Sequence, residues 1–499
     1  MYDLLIIGGG INGAGIARDA AGRGLKVLLC EKHDLAGATS SSSSKLVHGG
    51  LRYLESYEFA LVRQALAERE VLLNIAPHLI WPLRFVLPVE VGMRPAWVLR
   101  LGLFLYDHLA KRSLLPGTRT LALRECLQGE PLQDRLTTAF EYSDCWADDA
   151  RLVVLNAVDA AERGATIATR TECIALARSE KCWAATLRAA DGSSRLVEAR
   201  IVVNAAGPWV GVLLGKISQS SDRNSLRLVK GSHIIVKRLY EGEHAYILQS
   251  ADRRVVFAIP YEQDYTLIGT TEEEWSLSRG EARISDAETD YLCAAINHSF
   301  KRHITREDVI HSYAGVRPLF DDKNLSASVV TRDYVFDLDA ANDRMAPVLS
   351  IFGGKLTTYR RLAEQAITKL SLYFEKLAPN WTYAAPLPGG DFPASHPAAL
   401  SDELSHQYPW VPPAQLKRMT QAYGTRVPLI LGGAHSLTEL GRHFGAGLYE
   451  NEVRYLRNTE FAQTADDILW RRSKLGLHMK SNEKLELQTW IEGQLSVAP

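Results

Sequence analysis

The sequence predicts an α/β fold that opens on a dinucleotide-binding unit and closes on a separate, mostly helical region. Three observations predict it. The stretch from Tyr2 to Glu31 reads as strand, glycine turn, helix, strand and acid. Two later segments, ARIVVNAAGPWV (199–210) and VLSIFGGKLTTYRRLAEQAI (348–367), repeat the order of apolar strand, glycine turn and helix start. After the PLPGG turn at 386–390 the chain takes up helical periodicity with many charges.

The N-terminal unit starts with the short apolar run DLLII, residues 3–7, and continues as GGGINGAGIARDAAGRG. Gly8, Gly10 and Gly13 form G-x-G-x-x-G. Gly8 permits the tight turn, Gly10 lets a pyrophosphate approach the backbone, and Gly13 lets helix and strand pack closely. Ile16, Ala17, Ala20 and Ala21 recur at helical spacing before Gly22 and Gly24 end the helix. The helix N-terminus presents unpaired N–H groups and a partial positive charge to phosphates. LKVLLCE (25–31) is a second buried strand, and Glu31 ends it, where a carboxylate accepts hydrogen bonds from a ribose diol. An acid there disfavours a 2′-phosphate, so NAD or FAD fits better than NADP.

In the 348–367 segment, Gly353 and Gly354 are followed by Lys355, Thr357 and Thr358, then by a helix with apolar Leu362, Ala363 and Ala366. A second helix N-terminus of this kind can hold the far end of a long cofactor. Taken alone it also reads as an ordinary turn with a threonine cap.

Composition narrows the class. The chain has 499 residues, 46% hydrophobic and 23% charged, enough for two to four structural units. A formal net charge of -1 argues against a general nucleic-acid binder. No apolar run is long enough to span a membrane, and the N-terminus lacks the basic n-region of a signal peptide, so an intracellular location is expected. The six cysteines, Cys30, Cys126, Cys145, Cys173, Cys182 and Cys293, show no C-x-x-C spacing. Neither a metal site nor a redox dithiol is signalled, and reduced, packed thiols are expected.

More specific stretches follow one another along the chain: IIGGGINGAGIARDAAGRG, TSSSSSKLVHGGLRYLE, EYSDCWADDARLV, KGSHIIV, GTTEEE, AGVRPL, TRDY and FGGKLTTYR. In these motifs the chain resembles the FAD-dependent glycerol-3-phosphate dehydrogenases of the respiratory type, which are glutathione-reductase-like flavoenzymes related to D-amino-acid oxidase. The resemblance runs from residue 5 to about 360, and ADDILWRRSKLG (465–476) extends it less diagnostically. It implies a discontinuous FAD-binding Rossmann domain (1–60, 145–225, 346–385), interleaved with a mixed-sheet substrate domain (61–144, 226–345). An α-helical C-terminal domain (386–499) follows.

For the cofactor, the resemblance implies non-covalent FAD on Gly8, Gly10, Asn12, Gly13, Glu31, Thr39, Ser40, Ser43, Ser44, Lys45, His48, Gly207, Gly354, Lys355, Leu356 and Thr357. The serine run then lines the path from pyrophosphate to flavin instead of serving as a linker. For the substrate, glycerol 3-phosphate, it implies Arg52, Tyr53, Thr270, Arg332 and Lys355. Arginine suits phosphate because its planar fork donates two hydrogen bonds at once. His233 is expected to take the hydroxyl proton, and Arg317 to polarise the C2 hydroxyl or share the proton role.

Electrons are expected to leave through a membrane quinone. That implies a cytoplasmic protein held peripherally on the inner face of the cytoplasmic membrane, with a homodimer as one open form. The segment 76–112 offers an amphipathic stretch from Pro95, which reads equally as a membrane-interface helix or as a buried one. The basic run Arg471, Arg472 and Lys474 reads as a solvated helix face, with a partner surface as the alternative. Rival readings are a glycerol-3-phosphate oxidase using O2, a flavin-dependent amine or amino-acid oxidase, a non-catalytic FAD-binding sensor and a nicotinamide-linked dehydrogenase.

Overall fold

The computed structural model describes residues 1–90, 94–217, 225–249, 252, 254–321, 333–340 and 345–495. Strand β1 (Tyr2–Ile7), helix α1 (Ile11–Gly22) and strand β2 (Val27–Cys30) form the opening unit, with β1 and β2 parallel. Parallel strands buried on both faces need continuous apolar runs, and LLI and VLLC supply them. The strand Ser194–Asn204 pairs parallel with β1 on its other side, and Val348–Phe352 pairs parallel with that strand in turn. Both later glycine turns therefore leave the same end of one sheet as the first. Thr166–Ala168 extends the other edge, and an antiparallel hairpin, Thr171–Arg178 with Trp183–Ala189, joins the start of Ser194–Asn204.

The second sheet is mixed. Its long strands include Ile80–Pro88, Thr138–Ala147, Ser225–Lys237 and Val309–Asp321. Antiparallel pairing predominates, with Ala245–Gln249 running parallel to Ile80–Pro88. Two strands cross the domain limits expected from sequence. Leu46–Val47 pairs with Thr138–Ala147 in the second sheet, and Val335–Asp339 pairs with Val348–Phe352 in the first. A strand belongs to the sheet that satisfies its N–H and C=O groups, and sequence position alone does not name that partner.

Three further helices bear on the site: α2 (Phe59–Ile75), α3 (Ala96–His108) and α4 (Asp149–Glu162). Helix α1 packs against α4 and the helix Tyr359–Lys369 over the first sheet, where the main core lies. The C-terminal region folds on its own core around Leu416, Met419, Tyr423, Val453, Leu456 and Ile468.

The basic run at 471–474 is not solvated. Arg472 is buried and donates to Asp34 Oδ1 at 2.7 Å, Arg471 donates to Asp34 at 2.5 Å, and Lys474 lies 3.5 Å from Asp148. Arg151 of α4 and Glu460 add another buried pair across the same boundary. The expectation of a solvated face is corrected: these cations clamp the helical region onto the cofactor domain. A buried charge persists only when paired, and the pairing acids, Asp34 and Asp148, come from much earlier in the chain.

Candidate active site

A long cleft runs along the ends of the parallel strands, where a ligand is expected in an open α/β sheet. It has two connected chambers that share Thr39 and Ser40. The smaller chamber, about 210 Å3, is lined by Gly8, Gly10, Glu31, Thr171–Cys173, Gly207, Pro208, Trp209 and Leu213. The larger, about 560 Å3, is lined by the serine run, His48, Tyr53, Gly231, His233, Thr270, Arg317 and residues 353–357.

The small chamber is shaped by backbone. Gly8 has φ +114°, and a Cβ on Gly13 would lie 1.9 Å from the Gly8 carbonyl oxygen. The N-terminus of α1 carries no side-chain cap at Gly10. Glu31 accepts from the N–H groups of Gly9 (2.7 Å) and His33 (2.8 Å). A carboxylate has roughly four acceptor positions, so it retains capacity for a ribose diol. Asn12 braces the cradle: its Nδ2 donates to the Gly353 carbonyl at 3.0 Å, while its buried Oδ1 has no hydrogen-bond partner among the described residues. Apolar walls, a helix N-terminus opening on Gly10 and a carboxylate fit the adenosine and pyrophosphate of a dinucleotide, and the second chamber leaves room for a flavin ring.

In the large chamber two long strands of the second sheet, Ser225–Lys237 and Val309–Asp321, lie side by side in antiparallel register. Val229 faces Arg317, Gly231 faces Gly315, and His233 faces Tyr313. The glycine pair keeps the floor open, since a Cβ on Gly231 would come within 2.6 Å of Thr270 Oγ1 and 3.1 Å of an Arg317 nitrogen. His233 is buried, and its Nε2 shares a 2.9 Å hydrogen bond with Ser44 Oγ. Burial, helped by the charges of Lys45 and Arg317, pushes its pKa down to about 3. The imidazole is therefore neutral at pH 7. Burial likewise lowers the pKa of His48. The Lys355 ammonium is buried with no hydrogen-bond partner among the described residues, 4.2 Å from the Tyr53 ring centroid. An ammonium held this way is a ready anion site.

Other expected residues take different places. Thr39 Oγ1 donates to the Val316 carbonyl at 2.7 Å, and Ser40 Oγ accepts from the Ile11 N–H at 3.0 Å, so both tie the loop down while lining the cleft. Ser43 lines the chamber, but its hydroxyl is given to Asp149 at 2.7 Å. Lys45 was expected on the cofactor. It is instead buried behind the loop, donating to Asp149 at 2.7 Å and to the Ser41 carbonyl at 3.1 Å, because a buried ammonium must meet a counter-charge. Arg52 was expected beside Tyr53 on the substrate. It is exposed and does not line the chamber, because neighbours in the tight turn Leu51–Ser56 point about a third of a turn apart. Arg332 lies outside the described residues.

Among the lining residues that escaped the sequence reading are Arg227, Arg254, Glu272 and Asp333. Arg227 was within reach of it. Period-two alternation from His233 through Gly231 and Val229 lands on 227. Glu272 and Asp333 lie inside the GTTEEE and TRDY motifs, and nothing local marks Arg254.

Comparisons with known proteins give the family of the chain. The family described as FAD dependent oxidoreductase matches residues 3–360, and the C-terminal domain of alpha-glycerophosphate oxidase matches residues 381–489. A glycerol-3-phosphate dehydrogenase of Pseudomonas aeruginosa is 53% identical, over 99% of this chain and 96% of its own. A D-erythritol 1-phosphate dehydrogenase of Brucella abortus is 52% identical, over 99% of both chains. The solved glycerol-3-phosphate dehydrogenase of Bacillus halodurans, complexed with FAD, superposes with a TM-score of 0.77 at 27% identity, covering 100% of this chain and 95% of that one. The chain belongs to the FAD dependent oxidoreductase family, in its glycerol-3-phosphate dehydrogenase group.

Proposed function

We propose that the protein oxidises glycerol 3-phosphate to dihydroxyacetone phosphate and passes the electrons to a membrane quinone. One observation carries the reading: a histidine, an arginine and a lysine whose ammonium has no hydrogen-bond partner among the described residues converge on one chamber beside the dinucleotide cradle. FAD, when bound, supplies the two-electron acceptor. Lys355 attracts the phosphate dianion. Arg317 orients the C2 hydroxyl and stabilises negative charge as its proton leaves. His233, which lines the chamber, takes that proton. The lining holds the carbinol carbon in one orientation. Arg332 remains a proposed phosphate ligand from its motif.

His233→Ala and Arg317→Ala should each slow anaerobic flavin bleaching by glycerol 3-phosphate by roughly 10²–10⁴-fold with FAD still bound. Bleaching at the wild-type rate would remove the residue from the reaction. Reoxidation of the reduced protein by a quinone analogue, compared with O2, decides between dehydrogenase and oxidase.

A second substrate is favoured by the Brucella relative, whose name gives D-erythritol 1-phosphate. Bleaching rates for the two polyol phosphates, measured side by side, rank them.

The membrane reading rests on α3. It buries Leu103 and Tyr106, while Trp97 is 70% and Phe104 56% exposed, and Arg100 and Lys111 flank them. An apolar face edged with cations suits an anionic bilayer interface. Among the described residues no helix is long and apolar enough to cross a membrane. The double variant Trp97→Glu, Phe104→Glu should lose binding to anionic vesicles; undiminished binding would remove α3 from the contact.

A further inference from the structure

Behind the serine run lies a buried network that connects helix α4 to His233. Asp149, the first residue of α4, is fully buried. Its carboxylate accepts from Lys45 Nζ (2.7 Å), Ser43 Oγ (2.7 Å), the Ser43 N–H (3.2 Å) and the Ala150 N–H (2.8 Å). Four donors on one carboxylate saturate it, and three of them come from the loop 43–45. Lys45 has φ +57°, a left-handed conformation uncommon for a residue with a side chain, and the side chain is tied at both Asp149 and Ser41.

The loop so held grips the imidazole from two directions. Ser44 Oγ meets His233 Nε2 at 2.9 Å. The carbonyl of Ser43 accepts from the Tyr313 hydroxyl at 2.8 Å, and the Tyr313 ring stacks on His233 with centroids 4.9 Å apart and planes at 20°. Ring position and ring plane are both set by groups that Asp149 holds.

We propose that Asp149 is a positioning residue for the reaction: through Ser43 and Lys45 it fixes the loop that orients His233, by way of Ser44 and Tyr313. The proposal rests on His233 taking the substrate proton. It separates Asp149 from cofactor binding, because Asp149 lines neither chamber of the cleft. A residue that merely supported FAD binding would change cofactor affinity and leave the bound enzyme fast. A positioning residue leaves binding intact and slows the step.

The test is a mutant cycle on the FAD-loaded full chain, read as the single-turnover rate of flavin bleaching at saturating glycerol 3-phosphate. Asp149→Asn should lower that rate about 100-fold while KM changes less than about threefold, and Ser44→Ala, which cuts only the last link, about 10-fold. Asp149→Glu, which restores the charge, should recover at least about 10-fold over Asp149→Asn. In a His233→Ala background, Asp149→Asn should cost no more than about twofold further, since both act through one group. Full additivity of the two losses overturns the proposal while leaving the role of His233 standing. So does a wild-type rate for Asp149→Asn at saturating FAD. A fast His233→Ala enzyme overturns the reading of the site itself, which the cycle detects separately.

Discussion

The two chambers of the cleft are built by opposite means. The adenosine chamber is made of backbone: glycines, a helix N-terminus and a few apolar side chains, drawn from the segments 7–40 and 171–213. The reaction chamber is made of side chains from many segments spread between Ile11 and Thr357, held by ion pairs and hydrogen bonds behind its walls. The first recognises a shape common to many dinucleotides and tolerates little added volume. The second tolerates volume near its mouth but depends on the position of individual charges.

If that contrast holds, adding a few atoms to the glycine turn that shapes the first chamber should cost more than removing one charge from the second. Gly13→Val should be the most severe change: even its Cβ would sit 1.9 Å from the Gly8 carbonyl, a backbone atom that cannot move aside. Purified Gly13→Val protein should carry no flavin absorbance, and normal flavin content would break the comparison. Lys355→Met keeps the length of the side chain and removes its charge. It should retain FAD and raise KM for the phosphate ester by about 10–100-fold, roughly 1.4–2.7 kcal/mol of lost recognition. An unchanged KM would move the phosphate site elsewhere.

A smaller effect concerns pH. The folded pKa of His233 is about 3, well below the 6.5 of an unfolded histidine. The unfolded chain therefore binds a proton as pH falls below 6.5 while the folded site does not. Stability is lost with falling pH until about 3. At pH 5 this one group should cost on the order of 2 kcal/mol. His233→Asn should flatten the fall in Tm between pH 7 and 5, and an identical slope would show the imidazole to be less buried than described.

The Rossmann cradle was legible because its logic is local. Gly8, Gly10 and Gly13 act on atoms close to themselves in the chain, and Glu31 ends the next strand. The motifs around His233, Arg317 and Lys355 pointed to residues that do share a chamber. Lys45, Arg52 and the 471–474 run were misread, the first and last for a common reason. A cation in a sequence shows its charge but not its counter-ion. Asp149 lies 104 positions from Lys45, and Asp34 lies 438 from Arg472. Without the partner, a buried clamp and a solvated face look alike.

Arg52 adds a second reason: in a short turn, adjacent residues diverge, so the motif that brought Tyr53 to the chamber carried its neighbour away from it. By itself, then, the sequence determined the α/β cradle, the order of its elements and the set of residue types the reaction needs. Steric periodicity and glycine geometry are written in neighbouring positions. Only the tertiary structure decided which charges face the chamber and which are spent holding it. That choice is made by burial and by partners that the chain brings together only once it is folded.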